Sequence, residues 1–547
     1  MPVTLTINGR TVEAPPGRSL FDCAEAAGIH VPTSCRKQGR CKECIVEVTA
    51  GMDCLAGTTD EERHLRGPYR LSCRCLVRAT TGHVSCHTMR RGSLRIERRA
   101  PAVAAGARSG VPDPVVTRDG DRVRVDGADV DRYRGAMYGV ATDLGTTTVV
   151  LRLLDLETGE MVADTSFENP QRFGGSDVMA RIQYSSEHAG HVLMRTLAGY
   201  ISHAIEAFPV DPTTIYAMTV VGNSTMRDLF FRKDVSSIGQ SPYRSITETD
   251  VMAGLRTSTS LTETGRRCLL PIHPEARVDG LPIISGHVGA DAAACLLATD
   301  LAREDRLVAI MDIGTNTELL IGNRHRIMAA SCPAGPAFEG GGISCGMPAL
   351  DGAVASVAIA DNGQFQLGVI GGQAPEGLCG SGLVDLLSEL LRTGRMNQLG
   401  RFRNGADRVT LDAARDLHLY ERDVSELAQA KGANAAGLRV VCDTLGVQAG
   451  DIDVFYLAGG FGRHLRVDAS QAIGLIPMVP ADRVVQLGNA AIEGASLALL
   501  SQSKRQELEA LVRKVEHCRL ESHPRFFDYF VEGCLFKPIG AGDRVTG

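Results

Sequence analysis

Gly139-Val140-Ala141-Thr142-Asp143-Leu144-Gly145-Thr146-Thr147-Thr148-Val149-Val150 decides how this chain folds, because its pattern occurs twice. The second copy is Val308-Ala309-Ile310-Met311-Asp312-Ile313-Gly314-Thr315-Asn316-Thr317-Glu318-Leu319. Each reads as a buried strand, an Asp-x-Gly-Thr turn and a second strand. Each second strand then meets a polar turn, Glu157-Thr158-Gly159 or Gly322-Asn323-Arg324, and returns. Two copies of strand–turn–strand–turn–strand predict a duplicated, two-lobed α/β body with βββα lobes.

Such a turn sets a carboxylate beside backbone N–H groups and hydroxyls. The N–H groups suit phosphate oxygens, and the carboxylate holds Mg²⁺ directly or through water. One copy alone would be a weak signal; a pair suits a nucleotide bracketed by two turns. A third segment, Val454-Phe455-Tyr456-Leu457-Ala458-Gly459-Gly460-Phe461-Gly462, is an apolar strand running into a glycine turn. Glycines there let an adenosine lie against the backbone. Ile215-Tyr216-Ala217-Met218-Thr219-Val220-Val221-Gly222-Asn223-Ser224 has a similar layout. Tight strand-to-helix packing is the alternative reason for each glycine turn.

Upstream lies a different chemistry. Cys35-x5-Cys41-x2-Cys44, followed by Cys73 in Tyr69-Arg70-Leu71-Ser72-Cys73, reads as an iron–sulfur ligand set. Plant-type 2Fe–2S ferredoxins use C-x4-C-x2-C and a distant fourth cysteine. The longer first gap resembles the adrenodoxin-like branch, and the segment ending in Cys73 resembles the one carrying the ferredoxins' last ligand. Cys75 competes as fourth ligand. Tetrahedral zinc is the alternative occupant, although a zinc knuckle usually shows two short CxxC pairs. Cys23, Cys54 and Cys86 read as small buried hydrophobes.

Around these cysteines the first 90 residues predict one α+β domain. Thr4–Ile7 and Arg10–Glu13 flank Asn8-Gly9, a two-residue hairpin signal. Ser19 caps a short helix that Gly28 stops, and Cys44-Ile45-Val46-Glu47-Val48 is a returning strand. Residues 91–135 read as a flexible linker with one short hairpin near Val123-Arg124-Val125-Asp126-Gly127; such a tether lets the redox domain move. Residues 136–305 are then the first lobe and 306–547 the second.

Composition narrows the class. The 547 residues carry a formal charge of −6, so there is no basic signature for nucleic acid. Glycine, 60 residues, exceeds the usual ~7% and fits a fold full of tight turns. No apolar run is long enough for a membrane span. Met1-Pro2-Val3-Thr4 opens on a strand pattern, not an export leader, and sixteen cysteines with no exported character point to thiols and metal ligation in the cytoplasm.

Asp143-Leu-Gly-Thr-Thr-Thr, Asp312-Ile-Gly-Thr-Asn-Thr and Ala458-Gly-Gly-Phe-Gly look like the two phosphate motifs and the adenosine motif of the ASKHA superfamily. That group holds the acetate and sugar kinases, the heat-shock chaperones and actin. With the N-terminal ferredoxin-like (β-grasp) domain added, nearly the whole chain resembles the reductive activators of corrinoid proteins. Asn169-Pro170-Gln171, Gly286-His287-Val288-Gly289-Ala290-Asp291, Gly335-Pro336-Ala337-Phe338-Glu339-Gly340-Gly341 and Leu378-Cys379-Gly380-Ser381-Gly382 fit the same family. His287 departs from it, standing where an aromatic such as Phe is expected.

The resemblance implies an ATP-dependent protein that returns inactive Co(II) corrinoid of a methyltransferase system to Co(I). The electron comes from a 2Fe–2S cluster on Cys35, Cys41, Cys44 and Cys73. Asp143 and Asp312 position Mg²⁺ or its waters, with Gly145, Thr146, Thr147, Gly314, Thr315 and Asn316 near the phosphates. Gly459, Gly460 and Gly462 border adenosine. Glu339 is the candidate to polarise the attacking water, with a structural cap as its alternative. The implied partners are a corrinoid protein, an electron donor and a second copy of the chain in a homodimer, with no nucleic acid or membrane. Two other readings stay open: an ASKHA-type small-molecule kinase, and a nucleotide-switched redox sensor, each with an accessory ferredoxin domain. A radical-dehydratase activator would need a bridging cluster on Cys332, Cys345 and Cys379, whose small-residue neighbours read instead as core.

Overall fold

Asn8 and Gly9 both take positive φ, 47° and 78°, so the first turn has the hand that lets two strands pair without splaying. In the computed structural model, which describes residues 3–89, 112–188, 191–460 and 462–540, that turn joins β1 (Thr4–Ile7) and β2 (Arg10–Glu13). Helix α1 (Leu20–Ala26) follows, its first turn capped by the Ser19 hydroxyl, which accepts from the Asp22 N–H. Strands β3 (Ile45–Ala50), β4 (Tyr69–Leu71) and β5 (His83–Thr88) complete a sheet of order β2-β1-β5-β3-β4. Here β1 runs parallel to β5 and the other pairs are antiparallel. This is the expected α+β domain.

Of the stretch expected to be a linker, residues 91–111 lie outside the described residues. Its remainder forms a three-stranded antiparallel meander, β6 (Val116–Asp119), β7 (Arg122–Val125) and β8 (Ala128–Arg132). Val116, Val123 and Val125 are buried beneath it, and Arg124 pairs across the strands with Asp119 and Asp129.

The chain divides into two compact units. In the first, which also holds the N-terminal domain and the meander, β9 (Tyr138–Leu144), β10 (Thr148–Asp155) and β11 (Met161–Glu168) run antiparallel in sequence. After helices α2 (Val178–Glu187) and α3 (Val192–Glu206), β12 (Ile215–Gly222) pairs parallel with β9. All eight residues of β12 are buried, as a strand covered on both faces requires. Helices α4 (Ser224–Phe230) and α5 (Ile246–Met252) precede β13 (Leu261–Thr264) and β14 (Arg277–Gly280), giving the order β11-β10-β9-β12-β14-β13.

The N-terminal domain packs on α3 within this unit. The Met89 N–H donates to the Tyr200 hydroxyl at 3.1 Å, and His30 stacks on His203 with ring centroids 3.8 Å apart.

The second unit begins at residue 282, so helix α6 (Ala290–Ala298) belongs to it. Strands β15 (Val308–Ile313), β16 (Thr317–Asn323) and β17 (Arg326–Cys332) again run antiparallel in sequence. Beyond them lie β18 (Ala353–Ile359), β19 (Phe365–Val369), β20 (Gly377–Leu378), α7 (Gly380–Arg392), β21 (Arg408–Asp412), β22 (Leu417–Tyr420) and the long α8 (Glu421–Leu445). Strand β23 (Val454–Ala458) then pairs parallel with β15, and the sheet extends to β24 (Val484–Gly488) on one side and β25 (Val515–His517) on the other. Cys332, Cys345 and Cys379 are all buried there, and Cys23, Cys54 and Cys86 are buried in the first unit. Among the described residues no helix is long and apolar enough to cross a membrane.

Candidate functional site

Three turns carry the chemistry-bearing residues. The first is the irregular loop between α1 and β3, where Arg36, Lys37, Gly39 and Lys42 all take positive φ. Successive residues in that conformation turn their amides toward a common centre. Backbone N–H groups of Cys41, Gln38 and Arg40 donate to the Cys35 sulfur; although burial opposes them, they hold its thiol down to about 7. Burial raises the Cys41 thiol, although the backbone N–H groups of Glu43 and Ser34 donate to its sulfur. The Cys44 and Cys73 sulfurs lie 3.3 Å apart. That contact lowers Cys73, helped by the Gly39 N–H, and together with burial raises Cys44.

The sulfurs therefore group two and two, Cys41 hydrogen-bonded to Cys35 and Cys44 to Cys73. Among the described residues no three His, Cys, Asp or Glu side chains converge as on a single metal ion. Two thiol pairs ringed by N–H donors fit a two-iron cluster, whose sulfurs need such donors, better than one zinc tetrahedron. Cys75 is fully buried, and burial pushes its thiol up to about 12. The segment bearing Cys73 is held by an ion pair that the sequence did not announce. Arg70 Nε meets Glu62 Oε1 at 2.8 Å with both side chains buried, and that oxygen also accepts from the Leu71 N–H. An arginine inside an otherwise apolar strand was its one visible sign.

The second turn joins β9 to β10. Asn169 Nδ2 donates to the Gly145 carbonyl at 2.8 Å, and its N–H to the Thr147 carbonyl at 2.7 Å. Arg181 Nη2 donates to the Thr146 carbonyl at 2.7 Å, while Asn223 Nδ2 donates to the Thr146 hydroxyl at 2.9 Å. With its carbonyls held from behind in this way, Asp143 and Thr147 stay partly exposed.

The third turn joins β15 to β16. Burial pushes the Asp312 carboxyl up to about 6; the Cys295 thiol, 3.6 Å from Oδ2, pulls the other way and the Glu339 charge adds to the rise. Thr315 Oγ1 donates to Glu339 Oε2 at 2.5 Å, which ties Glu339 to this turn. Gly459, at φ +102°, presses against the same turn: a Cβ there would stand 2.3 Å from the Ile313 carbonyl oxygen and 3.0 Å from Asp312 Oδ1. Gly462 opens a short 3-10 turn, its N–H bonded to the Gly459 carbonyl, and Gly460 is exposed between them. Gly314 and Asn316 close the hairpin through an N–H to carbonyl bond.

One carboxylate here was not singled out from the sequence. Glu318 stands directly across from Asp312 in the β15–β16 register. It is buried, and burial, with the charges of Asp291 and Asp312, raises its carboxyl well above the usual range. A glutamate in mid-strand beside Leu319-Leu320-Ile321 was the available signal. The structure thus brings Asp312, Thr315, Glu339 and Gly459 together in the second unit. The Asp143 turn and the cysteine loop lie in the first.

Comparison with known proteins covers the same ground. Residues 3–78 match the 2Fe–2S iron–sulfur cluster binding domain, 138–304 the RACo middle region, and 306–541 the C-terminal ASKHA domain of RACo. The corrinoid activation enzyme RamQ of Eubacterium limosum is 31% identical over 439 residues, 75% of this chain and 71% of that protein. The Co(II) methylated amine-specific corrinoid protein reductase of Methanosarcina barkeri is 24% identical, covering 72% and 76%. A solved structure described as a reductive activator for corrinoid, iron–sulfur protein superposes with a TM-score of 0.71 over 98% of this chain and 99% of that one, at 24% identity. That likeness fixes the fold.

Proposed function

This chain belongs to the family of reductive activators of corrinoid proteins, and from that premise we propose that it returns the Co(II) corrinoid of a methyltransferase system to Co(I), with ATP driving the electron uphill. The observation that carries the reading is the coexistence of two thiol pairs ringed by N–H donors with two Asp-x-Gly-Thr turns. A corrinoid protein is the substrate: its cobalt gains one electron, and a separate donor replaces the electron that the activator loses.

Cys35 with Cys41, and Cys44 with Cys73, are the two ligand pairs for a 2Fe–2S cluster. When bound, the cluster supplies a one-electron store near the −400 mV or so of plant-type ferredoxins. The amides of Gln38, Gly39, Arg40 and Cys41 stabilise negative charge on the sulfurs. Asp143 and Asp312 hold Mg²⁺ or its waters, and the N–H groups of each turn take phosphate oxygens. Glu339, fixed by the Thr315 hydroxyl, orients the attacking water. Gly459, Gly460 and Gly462 leave room for adenosine.

ATP is needed because each 100 mV uphill costs roughly 2.3 kcal/mol per electron, and a ligand shifts an equilibrium only by binding its two states unequally. None of the sixteen cysteines is joined in a disulfide, which supports a reducing, cytoplasmic setting. The test is whether pre-reduced protein converts Co(II) corrinoid protein to Co(I) only when Mg-ATP is present; Co(I) formed equally well without ATP would refute the ATP-driven mechanism.

A further inference from the structure

We propose that Arg172 is a positioning residue that couples nucleotide binding at the Asp143 turn to the strand leaving the cysteine loop. The proposal rests on the functional reading above, in that it takes the Asp143 turn to bind nucleotide.

The linkage is continuous and short. Glu168 ends β11, opposite Thr148 at the start of β10. The next residue, Asn169, grips the turn through the Gly145 and Thr147 carbonyls. Its Oδ1 also accepts from the Gln171 N–H and so caps the 3-10 turn Pro170–Gly174. Pro170 fixes its own φ, so a tilt of Asn169 is handed on to this turn. Arg172 sits within it. Its Nη1 donates to Glu168 Oε1 at 2.6 Å, and its Nη2 stands 2.9 Å from Glu47 Oε2 as a close charge pair without the alignment of a hydrogen bond. Glu47 lies on β3, three residues past Cys44, paired with Tyr69 of the strand that leads to Cys73.

All three side chains are largely enclosed, at 13%, 15% and 17% exposure. A pair in such surroundings is screened far less than a surface one. Two further contacts run the same way. Arg181, whose Nη2 holds the Thr146 carbonyl, also donates from Nε to the Gly175 carbonyl at the end of the 3-10 turn. Arg195 on α3 pairs at 3.4 Å with Glu43, the neighbour of Cys44.

Phosphates drawn onto the N–H side of the turn pull against Asn169 and Arg181 on its carbonyl side. That pull reaches Glu47 through Arg172. An electron added among the cysteines pushes on Glu43 and Glu47 and reaches the turn by the same route. Coupling free energies are reciprocal: whatever factor nucleotide imposes on reduction, reduction imposes on nucleotide affinity.

The experiment measures the affinity of the full-length, cluster-loaded protein for a non-hydrolysable Mg-ATP analogue, once oxidised and once reduced. No corrinoid protein is needed. In wild type the two affinities should differ by about fivefold or more, the lower end of ordinary coupling. In E47Q and R172A the ratio should collapse to one, with visible cluster absorbance unchanged; R172K, which keeps the charge but not the fork, should restore part of it. A ratio of one in wild type, or a full ratio retained in E47Q and R172A, overturns the proposal. Binding without a redox ratio fells the coupling alone, whereas no binding in either state removes the functional reading and the coupling with it.

Discussion

Gly459 and Ile313 meet backbone to backbone: a Cβ on Gly459 would stand 2.3 Å from the Ile313 carbonyl oxygen. The first unit repeats the relationship with Gly222 and the Leu144 carbonyl, at 2.6 Å. In the first unit the glycine is the last residue of the parallel strand and in the second it directly follows that strand; in both the carbonyl follows the turn's aspartate. G459A should therefore displace the Asp312 turn, since no side-chain rotation relieves a clash with backbone. At φ +102° the strain alone costs on the order of 1–3 kcal/mol. Melting temperature and nucleotide affinity should both fall, while G450A, whose Cβ would meet nothing within 4 Å, should change stability by less than about 0.5 kcal/mol.

Cys73 and Cys75 should separate cleanly. C73S, like C41A, should abolish the visible charge-transfer absorbance of the reconstituted protein. C75A should keep it and cost stability only through a small cavity, about 1 kcal/mol. A spectrum lost in C75A and retained in C73S would reverse the ligand assignment.

R70A leaves Glu62 charged and buried without its partner. The expected loss is about 3–5 kcal/mol, read as earlier cluster bleaching on heating. The double variant E62Q/R70M removes both charges and should recover much of that loss. Equal bleaching temperatures for R70A and wild type would show that the pair does not hold the Cys73 segment.

His517 provides a pH signature. Burial, with the charges of His287 and Arg519 adding, holds its imidazole down to about 4 against an ordinary 6.5, while Glu521 pulls the other way. Burial lowers His287 as well. The unfolded chain therefore takes up a proton that the folded chain refuses. Stability is intact above pH 6.5 and falls as the pH drops toward 4, by at most about 3 kcal/mol and less after solvent screening. H517Q should flatten the melting temperature between pH 7 and 5. H287F, restoring the expected aromatic, should flatten it partly. A slope unchanged in both variants would assign the acid loss to other groups.

Local chemistry was legible in the sequence, and tertiary chemistry was not. Asn8-Gly9, the Ser19 cap and the hairpins at Asp143 and Asp312 announce themselves because turn and capping rules act within a few residues. Within the stretch read as a tether, the hairpin around Asp126-Gly127 was legible and joins β7 to β8, whereas β6 was not, because these strands are short and charged and their valines signal a core only once something covers them. Glu318 follows from the hairpin register, but its rise comes first from tertiary burial, with Asp291 of a separate helix and Asp312 adding to it. The Glu62–Arg70 and Glu47–Arg172 pairs join residues whose proximity no local pattern encodes.

The most direct test is a single turnover. Anaerobically pre-reduced protein, with excess donor removed, is mixed with Co(II) corrinoid protein and followed through the visible spectrum with and without Mg-ATP. The account predicts growth of the Co(I) band only with Mg-ATP, no more than one Co(I) per reduced cluster, and matching loss of the reduced-cluster signal. Protein that carries a fully reduced cluster and binds nucleotide yet yields no Co(I), or yields it equally without ATP, would contradict it.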